Sequence, residues 1–531
     1  MNNILEYLEN SAKAFPEKPA FISGKDNLTF GQLNNKAQAI GSFLCSYGIR
    51  RPVAVFMQKS PAMISAFFGV AYSGNFYIPL DAEIPAFRIE LILKTVDPCL
   101  IICDESTQEL ITTWGLPYEA RLYNEIVTHP ISDTALANIR KKSVDIDPLY
   151  VVFTSGSTGV PKGVVASHKS VIDYTEGLAT VLNAGTNSIF GMQSPLYLDA
   201  CIKEIMMTLK YGATTYIIPP SLFMFPIKLV EYLDTYKINT ICWVASALGL
   251  IAGLGALDKA IPQKLHTIAF TSEVLPIKHF NKWRGAIPQA RFIHLYGPTE
   301  ATGVSTYHIA DRFYEENESI PIGRPFPNTD IVLLDDNKTV PPVSQPGEIH
   351  IRGGRLCLGY YGDEAKTAAS FIQNPLSSFP DRLYKTGDLG YHDSDGNLFF
   401  ISRRDHQIKH MGYRIELAEI EYVAARCPDV ELACAVFDQE KSRIILYYTT
   451  KPAAQDTNLE SVSELLPESA TDVKQKITTY LKANLPRYMM PYAIILQENL
   501  PLTPGGKFDR AGLLNMYIAT RTKPTNKEGK Q

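Results

Sequence analysis

The chain has 531 residues, of which 45% are hydrophobic and 20% charged, with a formal net charge of -4. One core does not grow to that size, so two or three lobes are expected. The composition is that of a soluble globular protein, and the near-balanced charge gives no polyanion-binding surface, so nothing points to nucleic acid.

The N-terminal stretch MNNILEYLENSAKAFPEKPAF lacks a basic segment followed by an apolar core, which excludes a signal peptide. No apolar run approaches the roughly 20 residues of a membrane helix, so a cytoplasmic location is expected. The eight cysteines are scattered. Cys45, Cys242, Cys357 and Cys434 sit among apolar neighbours, and Cys99 and Cys103 fall in CLIIC, which alternates like a buried strand. None has partners at metal-ligand spacing, so they read as reduced buried thiols.

In chain order, the segments 52–57, 99–104, 214–219 and 240–245 read as buried strands, and 60–74 and 200–212 as helices. Strand and helix alternating this way predict a layered α/β body. From Asp330 to Tyr361 the chain turns Gly- and Pro-rich with period-two alternation, the mark of a β-rich subdomain, set at about 320–400. The charged stretch SRRDH at 402–406 marks a boundary. Beyond it, RIELAEIEYVAARC reads as an amphipathic helix, ACAVFD and RIILYYTT as strands, 452–470 as a polar linker, DVKQKITTYLKANL as a helix and YAIIL as a strand. The expected fold is therefore α/β: a large multi-subdomain body over 1–403, a small mobile α+β domain over 404–518 and a disordered polar tail over 519–531.

The most informative stretch is YVVFTSGSTGVPKGVV, 150–165. A strand runs into Thr154, Ser155, Gly156, Ser157, Thr158 and Gly159, followed by Pro161, Lys162 and Gly163. Glycine lets a backbone approach an anion and present its N–H groups, and the hydroxyls add donors, which suits phosphate. The pattern is not a Walker loop, because Pro161 stands where that loop has glycine before its lysine.

With this string the chain resembles the adenylate-forming superfamily of acyl-CoA ligases, luciferases and nonribosomal-peptide-synthetase adenylation domains. The resemblance runs from about Leu28 to Lys507 with the motifs in order. LTFGQL (28–33), YSGNFYIPLD (72–81), YGPTE (296–300), YKTGDL (384–389), RRDHQIKHMGYRIELAEIE (403–421), LPRYMMP (485–491) and PLTPGGKFDR (501–510) look like the amino-acid-activating branch.

The resemblance implies a role for each matched residue. The loop 154–159, with Lys162, would grip the β- and γ-phosphates of ATP. Tyr296 would stack on adenine, Thr299 would touch the α-phosphate and Glu300 would be the Mg2+ ligand; a hard cation suits carboxylate oxygen. Asp388 would accept the ribose hydroxyls, with Arg403 as a second contact. Lys507 would bridge the substrate carboxylate and the phosphate ester oxygen. Asp405 sits at the family's hinge, and Gly412 would let a pantetheine arm pass. Three departures stand out: Ser402-Arg403 for Gly-Arg, Lys409-His410-Met411-Gly412 for Lys-Ile-Arg-Gly, and Leu417-Ala418-Glu419 for Leu-Gly-Glu.

PLYLDACIKE resembles the acyl-pocket motif, where Asp199 would pair with a substrate α-ammonium. A buried carboxylate is costly without such a partner; the competing reading is an N-cap of the following helix. The family's pocket positions fall on Asp199, Ala200, Lys203, Cys242, Ala269, Thr271, Leu295, Gly303, Val304 and Lys507. Lys203 stands where the family mostly has an aromatic or apolar residue. Its stem fills the pocket and leaves room for glycine or alanine, or its ammonium pairs with an acidic side chain; the narrow Leu295 and Val304 favour the small substrate. Only 24 residues follow Lys507, so the chain resembles stand-alone D-alanine– or glycine–carrier protein ligases of bacterial envelope modification (lipid A or teichoic acid). That implies a separate carrier protein with a phosphopantetheine thiol. The alternatives are an acyl-CoA ligase for an amine-free acid, an acidic-amino-acid activating enzyme and a non-catalytic nucleotide-binding relative.

Overall fold

The computed structural model describes residues 1–156, 159–450, 470–503 and 507–522. The chain forms two compact units. The first comprises Met1–Ala82, Ile92–Phe153 and Lys162–Asp405, and the second Glu83–Leu91, Thr154–Pro161 and His406–Gln531. No helix among the described residues is long and apolar enough to cross a membrane.

Two large sheets organise the first unit. In a seven-stranded sheet, Pro52–Phe56 lies parallel to Phe76–Leu80 on one side and Leu100–Cys103 on the other. Every residue of these three strands is buried. Leu100–Cys103 therefore does not alternate as its sequence suggests: a parallel strand covered on both faces is apolar throughout. The helix Pro61–Tyr72 follows the first of these strands. The Ser60 side chain accepts from Met63 N, and Pro61 sits in the first turn, where its missing N–H costs nothing.

In a nine-stranded sheet, Thr214–Ile217, Ile189–Met192, Thr240–Val244, Thr267–Thr271 and Arg291–Tyr296 run parallel. Period-two alternation sorts their side chains between two cores. Cys242, Ala269, Ile293 and Leu295 join Tyr174, Cys201, Ile205 and Val304 on one face. Ile241, Trp243, Ile268, Phe270 and Phe292 pack on the other.

The β-rich region is an antiparallel sheet of Thr329–Leu334, Gly347–Gly353, Arg382–His392, Phe371–Gln373 and Leu398–Arg403. Two short strands of the same stretch leave it. Arg324–Pro325 extends the nine-stranded sheet, and Gly359–Tyr360 pairs with Lys162–Ser167 in the seven-stranded one. Alternation marks a strand but does not name its partner.

In the second unit, Gln407–His410 and Tyr413–Glu416 form a hairpin. Its loop is Met411 and Gly412, at φ 53° and 82°. Two left-handed residues in a two-residue loop make the turn that matches strand twist, and this alone accounts for glycine at 412. The helix expected over 414–427 thus begins as a strand and turns helical only at Leu417–Ala425. Val430–Asp438, Arg443–Thr450 and Ala493–Leu496 form a three-stranded sheet. The helices Ala470–Asn484 and Arg510–Thr522 complete the unit. The last helix runs into the stretch expected to be a loose tail, anchored by Leu513 and Tyr517 in a core with Val436 and Tyr447. The polar linker over 452–469 and the tail beyond Thr522 lie outside the described residues.

Near the N-terminus, Ile4 N donates to His168 Nδ1 across 3.4 Å, and His168 is buried. Burial drives its imidazole down to about 4. The unfolded chain, with an ordinary histidine, binds that proton more readily between pH 6.5 and 4, so this stability is complete above 6.5 and fades as the pH falls. From this group we expect a loss of about 2 kcal/mol between pH 7.5 and pH 5. His168→Gln should flatten that part of the acid dependence of the thermal midpoint; an unchanged acid slope in the variant refutes the assignment.

Candidate active site

The strand Arg291–Tyr296 leads through Gly297 and Pro298 into a short helical turn, Thr299–Ala301, and returns as Thr306–Ile309. Ser305 N donates to Tyr296 O at 2.7 Å and closes this loop at its base. A Cβ on Gly297 would lie 2.6 Å from Ser305 N, so only glycine permits the closure. A fully buried arginine braces the far side. Arg355 Nη1 donates to Val304 O at 2.6 Å, its carbonyl accepts from Thr302 Oγ1 at 2.7 Å, and its guanidinium lies over the Phe326 ring. One braced loop thus carries Tyr296, Thr299, Glu300, Gly303 and Val304.

The Glu300 carboxylate is fully buried. Tyr360 donates to its Oε1 at 2.7 Å, and Lys162 Nζ lies 3.5 Å from the same oxygen. Lys162 also sits 5.3 Å above the Tyr360 ring. The pairing of Lys162–Ser167 with Gly359–Tyr360 sets this arrangement.

Asp388 lies opposite Arg403 in the register of the β-rich sheet. Its Oδ1 accepts from Arg403 Nη1 and its Oδ2 from Tyr296 Oη. Arg403 also forks onto both oxygens of Asp405, at 2.7 and 2.8 Å. Each oxygen of Asp388 keeps a second lone pair for a further donor. The Tyr296 ring is 5% exposed and packs with Ile322, Leu333, Ile349 and Leu398. Asp405 is the last residue of the first unit.

Asp199 opens the turn Asp199–Cys201 that feeds the helix Ile202–Tyr211. Leu198 holds the cap position with no side-chain cap bond, so Asp199 is not the N-cap. Its carboxyl is pushed up by burial, while the Thr299 hydroxyl and Lys203 pull it down. The residue as a whole keeps partial exposure. A Cβ on Gly303 would stand 3.7 Å from Asp199 Oδ2 and 3.5 Å from the Tyr174 ring. Lys203 is 2% exposed, and its Nζ donates to Ala200 O at 2.7 Å. Cys242 pairs with Ala269 and Val244 with Thr271 in the sheet register, which sets Thr271 on the face of Ala269. That face also carries Leu295. The structure thus gathers Asp199, Ala200, Lys203, Cys242, Ala269, Thr271, Leu295, Gly303 and Val304 around one part of the first unit.

Thr154, Ser155, Gly156 and Gly159 belong to the second unit. Ser155 Oγ donates to Arg414 O at 2.7 Å and accepts from Glu416 N at 3.0 Å. Gly159 has φ +81° and donates its N–H to Gly156 O. Ser157 and Thr158 lie outside the described residues. Lys507, also in the second unit, is exposed; its backbone N donates to Thr503 Oγ1 and its carbonyl accepts from Thr503 N.

Sequence reasoning missed Tyr360, Arg355, Lys59 and Glu204. The sequence motifs give no mark of the first three, whose roles come from pairings across the fold. Glu204 follows Lys203 inside the pocket motif, and a charge at that point of an otherwise apolar helix was the available signal.

Residues 8–361 match the model of a family described as AMP-binding enzyme. Over 96% of its length the chain is 32% identical to bacitracin synthase 1 of Bacillus licheniformis and 31% identical to a dimodular nonribosomal peptide synthase of Bacillus subtilis. It spans only 9% and 21% of the length of these relatives. Among solved structures, it superposes on PA1221, a nonribosomal peptide synthetase protein containing adenylation and carrier domains, with a TM-score of 0.79 at 24% identity, covering 97% of each chain. It superposes on o-succinylbenzoate CoA synthetase of Bacillus subtilis with a TM-score of 0.80 at 20% identity, covering 97% and 98%. Both share the fold. The chain belongs to the AMP-binding enzyme family and is an adenylate-forming ligase of the nonribosomal-peptide-synthetase adenylation type.

Proposed function

We propose that the chain activates a small amino acid, glycine or alanine, and passes it to the phosphopantetheine thiol of a carrier protein. A substrate carboxylate oxygen attacks the α-phosphorus of ATP, and pyrophosphate leaves. The carrier thiol, losing its proton, then attacks the acyl carbon, and AMP leaves. The observation that carries this reading is Asp199: a deep, partly exposed carboxylate bonded to Thr299 of the loop that bears Glu300. It suits an ammonium group held beside a reacting phosphate.

The first step needs alignment and charge neutralisation more than proton transfer. Asp388 and Arg403 offer the ribose and phosphate contacts, Lys162 a cation near Glu300, and the loop 154–159 its N–H groups and hydroxyls. Lys507 takes the role its motif implies, a cation on the substrate carboxylate and the ester oxygen. Among the described residues there is no group of three or more His, Cys, Asp or Glu able to hold a metal. Glu300 alone fits Mg2+, which keeps its waters and takes phosphate oxygens with one or two carboxylates. When bound, that ion neutralises charge on the departing pyrophosphate.

Lys203 supports the small substrate. Its ammonium is buried and already donates to Ala200 O, with Asp199 attracting it. Its four-carbon stem then acts as filler. A role in envelope modification rests on the likeness to D-alanine and glycine ligases alone. The likeness of fold to a CoA synthetase keeps an amine-free acid as the second reading.

An amino-acid- and acid-dependent ATP–pyrophosphate exchange screen tests the proposal. Glycine or alanine should support exchange and their amine-free analogues should not; exchange with amine-free acids alone sinks the reading. Asp199→Ala should lower amino-acid kcat/KM by about 100-fold or more while sparing the KM for ATP. Lys203→Ala should admit larger side chains, with roughly tenfold or greater gains for valine or leucine. Loss of an acidic substrate instead would establish the counter-ion role.

A further inference from the structure

Beside Asp199 stands a ring that no sequence motif marks. Gly303, at φ +90°, leaves a space where any other residue would carry a Cβ. Three atoms border that point: Tyr174 Cε2 at 3.5 Å, Asp199 Oδ2 at 3.7 Å and Tyr174 Oη at 3.8 Å. These are ordinary contact distances, so a methyl group just fits there and touches the ring and the carboxylate without overlap. Anything longer meets the ring.

Tyr174 is held in that place by its helix. It lies on His168–Leu182, whose start is fixed by the Ser167 hydroxyl accepting from Ser170 N. Three residues on, and therefore on the same helix face, is Gly177. A Cβ at 177 would collide with Arg355 Nη2, so the bare glycine seats the guanidinium. Nη1 of that guanidinium donates to Val304 O at 2.6 Å. The helix thus meets the pocket loop at two successive points: Tyr174 at Gly303, and Gly177, through Arg355, at Val304. The Tyr174 residue is 1% exposed. Burial raises its phenol well above the ordinary range, so the group stays neutral and what it presents is volume.

Resting on the amino-acid reading above, we infer that Tyr174 is a specificity-determining residue: its ring walls the pocket beside Gly303 and limits the substrate side chain to hydrogen or methyl. An ammonium bonded to Asp199 puts the substrate α-carbon, one bond further on, next to the space left by Gly303. A hydrogen or methyl on that carbon clears the ring, and a longer branch runs into it. Lys203 narrows the pocket from the helix Ile202–Tyr211; Tyr174 sets a second limit from a different helix.

The test is the ratio of kcat/KM for leucine to that for glycine in pyrophosphate exchange, with the KM for ATP measured beside it. Tyr174→Ala should raise the ratio about tenfold or more, chiefly through a lower KM for leucine. Tyr174→Phe keeps the ring and should hold the ratio within about twofold of wild type. A ring that only packs the core would, when removed, lower exchange with both amino acids together and leave the ratio where it was. That result in Tyr174→Ala, or an equal gain in Tyr174→Phe, overturns the inference. Should the alanine variant not fold, Tyr174→Leu fills the core without the reach of the ring and is read by the same ratio; an unmoved ratio there overturns the inference equally. Wild-type enzyme that exchanges no small amino acid refutes the parent reading instead, whereas glycine exchange with an unmoved ratio refutes only this one.

Discussion

Carboxylates held out of water beside a cation are the constraint on which this molecule is organised. Glu300 faces Lys162, and Asp388 faces Arg403. At 3.5 Å the Lys162–Glu300 attraction is worth about 5 kcal/mol at an effective dielectric constant near 20. Desolvating the two ions costs several kcal/mol each. The pair therefore adds little or nothing to stability. Its value lies in being exchangeable: a second cation beside Glu300, or a phosphate beside Lys162, meets a charge that is already out of water and aimed.

Such charges are useful only if their backbone does not move. The loop from Tyr296 to Ser305 is closed at its base through Gly297 and braced at its far end by Arg355. Because the same loop carries Thr299, which bonds Asp199, the proposed amino-acid and phosphate sites share one braced segment. On the proposed function a shift of that loop would misplace both reactants at once, and a displacement of an ångström is costly in a reaction that gains its rate from alignment. The bracing fits this: Arg355 takes the Val304 carbonyl and the Thr302 hydroxyl, and the Glu300 carboxylate is left to Tyr360 and Lys162.

Local pattern made much of this legible. The apolar runs at 52–57 and 240–245 became strands because continuous burial in a parallel sheet and an apolar sequence are the same fact seen twice. Loops with chemistry, such as 154–159 and 296–300, announce themselves because glycine and hydroxyl residues in one short string are hard to explain otherwise. What stayed hidden was set by distant pairing. Tyr360 reaches Glu300 only because its short strand leaves the β-rich region for the seven-stranded sheet. Arg355 follows two glycines and belongs to none of the sequence motifs, yet it is fully buried. The final helix outruns its expected end because Tyr517 packs against a strand far away in sequence. Hydropathy records which residues leave water but not which partner they meet.

Lys203 shows how far the charge argument reaches. A lysine at an otherwise apolar pocket wall suggests, taken alone, an anionic ligand. In the structure its ammonium donates to the Ala200 carbonyl, and Asp199 attracts it. A cation so placed has spent most of its field before a substrate arrives. What it still presents is volume, the hydrocarbon stem of a residue only 2% exposed. Steric exclusion by such a stem separates large side chains from small ones far more strongly than it separates glycine from alanine. On the proposed function, a residue that limits side-chain size in this way leaves the choice between the two smallest amino acids to the fit around Gly303.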